Sequence, residues 1–402
     1  MAYFAQCFNS INAVPREDWA RLSGGINDLY MDPSFISAIE DTLPGRYWAI
    51  VVYDDRGKSA GSAMACLYPI DAALLCPPHT RRILESIRRL WPDCLRFWIV
   101  FCGLPFSAGQ SQVRIASDAD SSQVLRQLHK SLKHISREVP SAAIVWKEFT
   151  EEERLQTDGL LKVGYVRGQS LPMNRFAEGF RSFDAFCEAL RSHYRYKLHR
   201  SQRKFVRAGF RIEHFSGAEA ASHYTDEVHE LYLAVSERAE VHLEILPAEF
   251  FRQWAIRCGN GVKLTAVFQG TRIVAFAWGA ALGDTYQNVF IGLDYQLNPE
   301  YDLYFNLMAS DLDWAMQAGS QHILMGQTTD TFKSRLGCYL EPRYVYVKGT
   351  HWFTALALRL THKLLMPPPP APPERHPFRE QPGHPADSPV HEFAGGSSQQ
   401  HL

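Results

Sequence analysis

The sequence predicts an α+β fold built from two tandem copies of one unit, each a mixed, mostly antiparallel sheet flanked by helices. Three observations carry this. Residues 262–347 read as three strands, a helix, a strand, a short helix and a last strand. The first half repeats that order in outline. The chain has 402 residues, 46% of them hydrophobic, enough for one large or two ordinary cores.

In the first half, 46–53 is an apolar strand, Asp54-Asp55-Arg56-Gly57 a turn, and 58–68 a second strand. Residues 71–117 read as an extra segment of this copy. Within it, 101–107 sets Gly and Pro among aromatic residues, which fits either a fixed loop beside a pocket or a plain connection. Val124, Leu128, Leu132, Ile135 and Val139 recur at helical spacing over 121–139, and a buried strand follows at 142–146. Residues 160–166 pass from a helix end into a strand. The boundary falls near Leu171, giving an N-terminal unit at 1–170 and a C-terminal unit at 171–350.

The second half opens on one long helix over 183–208. Arg191, Arg195, Lys197, Arg200, Arg203, Lys204 and Arg207 crowd it, with Tyr194 and Tyr196 between them. Like charges at i,i+4 repel by roughly 0.2–0.5 kcal/mol per pair, so the face gains by meeting polyphosphate or acidic protein. A solvated basic face offset by acids elsewhere is the competing reading. Residues 210–215 form a strand, and 227–239 and 247–258 are scaffold helices. The meander follows, with strands at 263–268, 271–282 and 285–293 joined at Gln269-Gly270 and Gly283-Asp284. Asn298-Pro299 punctuates, 301–317 is a core-facing helix stopped by Gly319, and 321–326 is a buried strand. A short helix at 329–337 and a strand at 343–347 close the unit. Residues 351–366 form an amphipathic helix with Arg359, His362 and Lys363 on its polar side, expected to dock on the body. From 367 to 402 a Pro, His, Ser and Gly run predicts a disordered tail.

Composition narrows the function. A net charge of −1 and a pI near 7.0 give no global field for nucleic acid or an anionic membrane. DNA binding through 191–207 is therefore the weaker use of the basic helix. The eight cysteines are scattered with no CxxC, which reads as reduced thiols in a cytoplasmic protein, with no metal site. No signal peptide is expected, and no apolar run reaches the roughly 18–20 residues that cross a bilayer.

The stretch 189–338 resembles the FemAB-like branch of the Gcn5-related N-acetyltransferase (GNAT) superfamily, often found as a double-GNAT protein. The basic helix opening matches Leu190-Arg191-Ser192-His193-Tyr194-Arg195-Tyr196-Lys197-Leu198-His199-Arg200. The strand pair around a Gly turn matches 264–281, and the Tyr-rich strand end and loop match 288–301. The closing strand and aromatic-Lys pair match Leu324-Met325-Gly326 and Phe332-Lys333-Ser334-Arg335-Leu336-Gly337. Two departures stand out. Met325-Gly326-Gln327-Thr328 replaces the acidic residue and glycines usual on the closing strand. Tyr301-Asp302-Leu303-Tyr304 replaces Ser-Pro-Gly. The Gly-rich pyrophosphate loop of ordinary acetyltransferases is absent.

The resemblance implies two tandem GNAT-like units and N-acyl transfer from acyl-CoA to an amine, a small molecule or a cell-envelope component. An aminoacyl-tRNA donor, as Fem-type relatives use, is the alternative, and a non-catalytic ligand-binding protein a third reading. Either donor is a co-substrate, and no cofactor is expected to be bound. Such chemistry needs a held donor and acceptor, a proton acceptor and a stabilised oxyanion. Lys333 is the candidate for the oxyanion or a donor phosphate, Asp330 for orienting or deprotonating the amine, and Tyr304 for a general acid. Asn288, Tyr295, Tyr301 and Phe332 are candidates for substrate binding. Arg195, Arg200 and Arg203 are candidates for donor phosphate. Core packing of the tyrosines, an N-cap role for Asp330 and a surface place for Lys333 are the competing structural roles.

Overall fold

The computed structural model describes residues 2–23, 28–71, 84, 86–92, 94, 96–104, 106–177, 179–180, 182–238, 245–328, 330–366 and 375–379, the side chains of 330, 331 and 363–365 excepted. The first unit runs β1 (Tyr3–Phe8), α1 (Arg16–Ser23), α2 (Pro33–Thr42), β2 (Arg46–Asp54), β3 (Ser59–Asp71), β4 (Arg96–Cys102), β5 (Val113–Ile115), α3 (Ser121–Glu138), β6 (Ala143–Phe149), α4 (Glu151–Thr157) and β7 (Val166–Phe176). The second runs α5 (Phe183–Ala189), α6 (Ser192–Arg207), β8 (Phe210–Ser216), α7 (Gly217–His223), α8 (Asp226–Arg238), α9 (Ala248–Cys258), β9 (Val262–Gln269), β10 (Arg272–Leu282), β11 (Thr285–Leu293), α10 (Asn298–Tyr301), α11 (Leu303–Gln317), β12 (His322–Leu324), α12 (Asp330–Lys333) and β13 (Cys338–Gly349). α13 (Trp352–Leu365) follows.

The strands join in one 13-stranded sheet, ordered β1-β2-β3-β4-β6-β13-β7-β12-β11-β10-β9-β8, with β5 beside β3. Its halves match. Four antiparallel strands lead in each to a parallel pair, β4 with β6 and β11 with β12. A helix connects each parallel pair, α3 or α11, as a parallel crossover requires. The closing strands are exchanged. β13 pairs with β6, β7 pairs with β12, and the two pair with each other. β7 therefore crosses residues 170 and 171 and lies against the second half of the sheet.

Three expectations change. Residues 71–117 contain β4, the counterpart of β11, so the segment holds an integral strand. Its first residues, Arg96, Phe97 and Trp98, are exposed, which removes the alternation that marks a half-buried strand. The predicted helix 183–208 is broken at Leu190 and Arg191, both with extended backbone. Residues 375–379, placed by sequence in a disordered tail, lie across that break, and Leu190 bridges Phe378. The rest of 367–402 lies outside the described residues.

The units share a core. Phe35 of α2 packs edge-on against Phe250 (6.0 Å) and Trp254 (5.0 Å) of α9. The predicted loop 101–107 closes this junction, with Leu104 buried and Phe106 6.3 Å from Phe250. α13 docks through β13 and β7 but turns Trp352, Phe353, Leu356 and Leu360 to solvent. Among the described residues, no helix is long and apolar enough to cross a membrane.

Candidate functional site

β11 and β12 pair only at Thr285–His322, Tyr286–Ile323 and Gln287–Leu324. Beyond that the strands part. β12 turns to β7, where Met325 N donates to Asn174 O (2.8 Å) and Asn174 N to Gly326 O (2.9 Å). At the same level β11 carries a bulge. Gly279 faces Asn288 and Trp278 faces Phe290, leaving Val289 as the extra residue. The result is a wedge-shaped gap between the two parallel strands, on the side from which α11 and α12 depart.

Lys333 fills the mouth of this gap. It is 4% exposed, at the end of α12. Gly326 has φ +80, and a Cβ there would lie 3.5 Å from Lys333 Nζ and 3.7 Å from the Asn288 carbonyl oxygen. A side chain at 326 would thus meet both left-handed strain and the lysine amine. Asp330 heads the same helix, and its side chain lies outside the described residues. Burial pushes the nearby Cys338 thiol up to about 12, which leaves it protonated at neutral pH and a poor nucleophile.

Beside the gap opens a pocket of about 520 Å³, between α6, the α10–α11 corner and α12. His193, Lys197, Arg200 and Lys204 line it from one face of α6, at i, i+4, i+7 and i+11. Arg335 and Arg375 add two further cations, and Asp302 is the acid among the lining residues. Asp302 takes the left-handed turn (φ 51) between α10 and α11, in the stretch where the Ser-Pro-Gly of the family would stand. Its carboxylate accepts from Ser201 Oγ (3.1 Å), and Asn306 donates to the same hydroxyl (3.0 Å). Asn298 Oδ1 accepts from Tyr304 N (2.9 Å), satisfying one of the free amides at the α11 N-terminus. Tyr304 and Phe332 meet across the pocket with ring centroids 4.6 Å apart.

The structure thus gathers Arg200, Tyr304 and Phe332 at the pocket and Lys333 at the adjoining gap. It places the other candidates elsewhere. Arg195 lies on another face of α6, donating to Glu188 O (3.4 Å), and Arg203 is an exposed residue away from the pocket. Tyr301 packs 5.0 Å from Phe210 and stacks under Lys204. Its hydrogen bond with Glu300, and the charge of that carboxylate, raise its hydroxyl pKa. Tyr295 lies under Arg238, 4.0 Å from the ring centroid, and burial raises its hydroxyl.

Asn288 points into the core. Its Nδ2 donates to Asp311 Oδ2 (2.9 Å), while Tyr286 OH (2.6 Å) and Thr265 Oγ1 (2.9 Å) donate to Oδ1. Burial pushes the Asp311 carboxyl upward, and these three hydrogen bonds and Lys263 pull against it. His214 touches Thr265 at 3.0 Å, and burial, then Lys263, lower it to about 4. The network anchors β9 and β11 to α11 beneath the gap.

Sequence reasoning missed His193, Lys197, Lys204, Arg335 and Arg375 as pocket residues. The first three were recoverable, because the cations of 191–207 fall on two helical stripes and only one can face inward. It also missed a second charged pocket, of about 440 Å³, between the units, with Asp28, Arg114, Glu153, Glu341 and Arg343 in its walls. Among the described residues no group of three or more His, Cys, Asp and Glu is placed to hold a metal ion.

Two half-sheets of one topology, joined through exchanged closing strands, give this chain the fold of tandem GNAT proteins. The FemAB-like family, described as peptidoglycan biosynthesis/recognition, matches residues 99–294, from within β4 to just past β11. Known structures share the fold. FemX is 12% identical over 88% of this chain and 99% of its own, with a TM-score of 0.53. The tandem GNAT protein from the clavulanic acid biosynthesis pathway is 10% identical over 87% and 98%, with a TM-score of 0.53. L-PGS from Bacillus licheniformis is 10% identical over 88% and 98%, with a TM-score of 0.51. No curated protein matches the sequence.

Proposed function

We propose that the chain is an N-acyltransferase whose working site is the gap between β11 and β12. The observation that carries this is the buried Lys333 amine at the mouth of the gap, beside a pocket lined by cations. The pocket holds the phosphates of the donor, and the acyl group reaches into the gap. The acceptor amine attacks the acyl carbonyl. A C–N bond forms, the C–S or C–O bond to the carrier breaks, and the amine proton passes to a base. The Lys333 ammonium stabilises the oxyanion, and the Tyr304 hydroxyl protonates the leaving group. Acyl-CoA is the leading donor. Aminoacyl-tRNA is favoured by one specific feature, the exposed cations Arg203 and Arg207 of α6, which extend the basic surface beyond a pocket of coenzyme size. The FemAB-like match supports a peptidoglycan precursor or other cell-envelope amine as acceptor, with a small-molecule amine as the other class.

Thermal unfolding against acetyl-CoA, long-chain acyl-CoA and deacylated tRNA tests the reading. A ligand at 100 times its dissociation constant adds roughly 2.7 kcal/mol. A shift with one acyl-CoA assigns the donor, a shift with tRNA alone assigns the Fem-type alternative, and no shift with any of them removes the donor pocket.

A further inference from the structure

Residues 375–379 cross the break between α5 and α6 as a strap. Arg191 N donates to Pro377 O (2.8 Å), Arg379 N to Ala189 O (2.9 Å) and Arg191 Nε to Phe378 O (2.9 Å). Leu190 and Arg191 are extended there, so Ala189 O and Arg191 N serve the strap where a continuous helix would have bonded them internally. Phe378 seats between Phe180 (5.1 Å) and Phe186 (6.1 Å). It lies over Gly337, whose φ is +90 and whose Cβ, if present, would overlap the Phe378 ring. The seat is shaped for an aromatic ring.

Three residues before Phe378, Arg375 enters the basic pocket. Its Nε is buried and has no hydrogen-bond partner among the described residues. Its neighbours in the pocket are His193, Lys197, Arg200, Lys204 and Arg335, and the carboxylate there, Asp302, is engaged by Ser201. A guanidinium brought among like charges, with a donor left unmet, is costly unless an anion joins them.

We propose that the strap is a built part of the site. Phe378 is its anchor, and Arg375 is a ligand-binding residue that completes a pocket for a ligand carrying two or more phosphates. The inference rests on the donor reading above and adds the C-terminal segment to it. Coenzyme A and the 3′ end of a tRNA share this chemistry.

The test is equilibrium binding of coenzyme A and of deacylated tRNA to the full chain and to Arg375→Ala, Phe378→Ala, the double variant and Arg200→Ala. For whichever probe binds, Arg375→Ala and Phe378→Ala should each weaken affinity about tenfold, as expected for one charged contact. The double variant should be no weaker than Arg375→Ala, because Phe378 acts through Arg375. Because Arg375 sits among like charges with a donor unmet, Arg375→Ala should leave the melting temperature unchanged or raise it, which separates binding from folding. If Arg200→Ala weakens binding and Arg375→Ala does not, the strap proposal falls while the donor pocket stands. If Phe378→Ala tightens binding, the strap covers the pocket and the proposal is overturned. If neither probe binds the unaltered chain, both readings fall.

Discussion

Replacing Lys197 and Arg200 together by alanine isolates the electrostatics of the donor pocket. Both side chains are exposed, line the pocket and lie on one face of α6. Neither anchors the fold, so stability should be unchanged or rise slightly as like charges are removed. Binding should respond strongly. A cation that meets a phosphate of a single-stranded nucleic acid, such as a tRNA end, releases about 0.7 of a counterion, so a fourfold rise in salt weakens binding about 2.6-fold per contact. Three such contacts give roughly a twentyfold loss between 50 and 200 mM salt, and removing two leaves about 2.6-fold. Titration of coenzyme A or deacylated tRNA at the two salt concentrations, by calorimetry or fluorescence, reads this slope. A variant whose affinity falls but whose salt slope equals that of the unaltered chain would refute the assignment of these residues to phosphate.

Further outcomes are expected. Lys333→Met should keep the fold and lower turnover by about 10²–10³ once a donor and acceptor are identified, with donor affinity changed less, as single-turnover kinetics would show. Asp311→Ala strands the buried donors of Tyr286, Asn288 and Thr265, and should cost about 3–5 kcal/mol in urea unfolding. His129 and His214 are each lowered from 6.5 to about 4, by burial first and nearby lysines second. The unfolded chain therefore binds protons that the folded chain refuses, and stability should fall as pH drops from 6.5 towards 4. His129→Gln should flatten that limb, measured by denaturation at pH 7.5, 6 and 5.

Where one face of a strand is buried, its pattern was legible. The meander β9-β10-β11 and its turns follow from alternating or continuous apolar runs punctuated by Gln269-Gly270 and Gly283-Asp284. Lys333 was singled out through the resemblance, on the pair Phe332-Lys333 and the following Gly337, and the structure places it buried beside Gly326. Asn288 was not, because a polar side chain inside a strand looks the same whether its partner is a ligand or a buried carboxylate such as Asp311. The exchange of β7 and β13 was hidden for another reason. Each strand carries the pattern that either half of the sheet would accept, so pairing is decided by chain connection and by contacts such as Asn174 with Met325 and Gly326. The break at Leu190 and Arg191 was hidden because good helix formers surround it. Its partner there, the strap at 375–379, lies almost two hundred residues away in a proline-rich stretch that no local rule would fold.

On the proposed function, a phosphate-bearing donor lies in the pocket of the second unit with its acyl end in the gap between β11 and β12. A crystal structure of the chain with bound coenzyme A, or with a short RNA ending as tRNA does, tests it most directly. Phosphates are expected against Lys197, Arg200 and Arg335, and the reactive end between the Asn288 carbonyl and Gly326, within reach of Lys333 Nζ. A ligand seated instead in the charged pocket between the units, against Arg114 and Arg343, would contradict it.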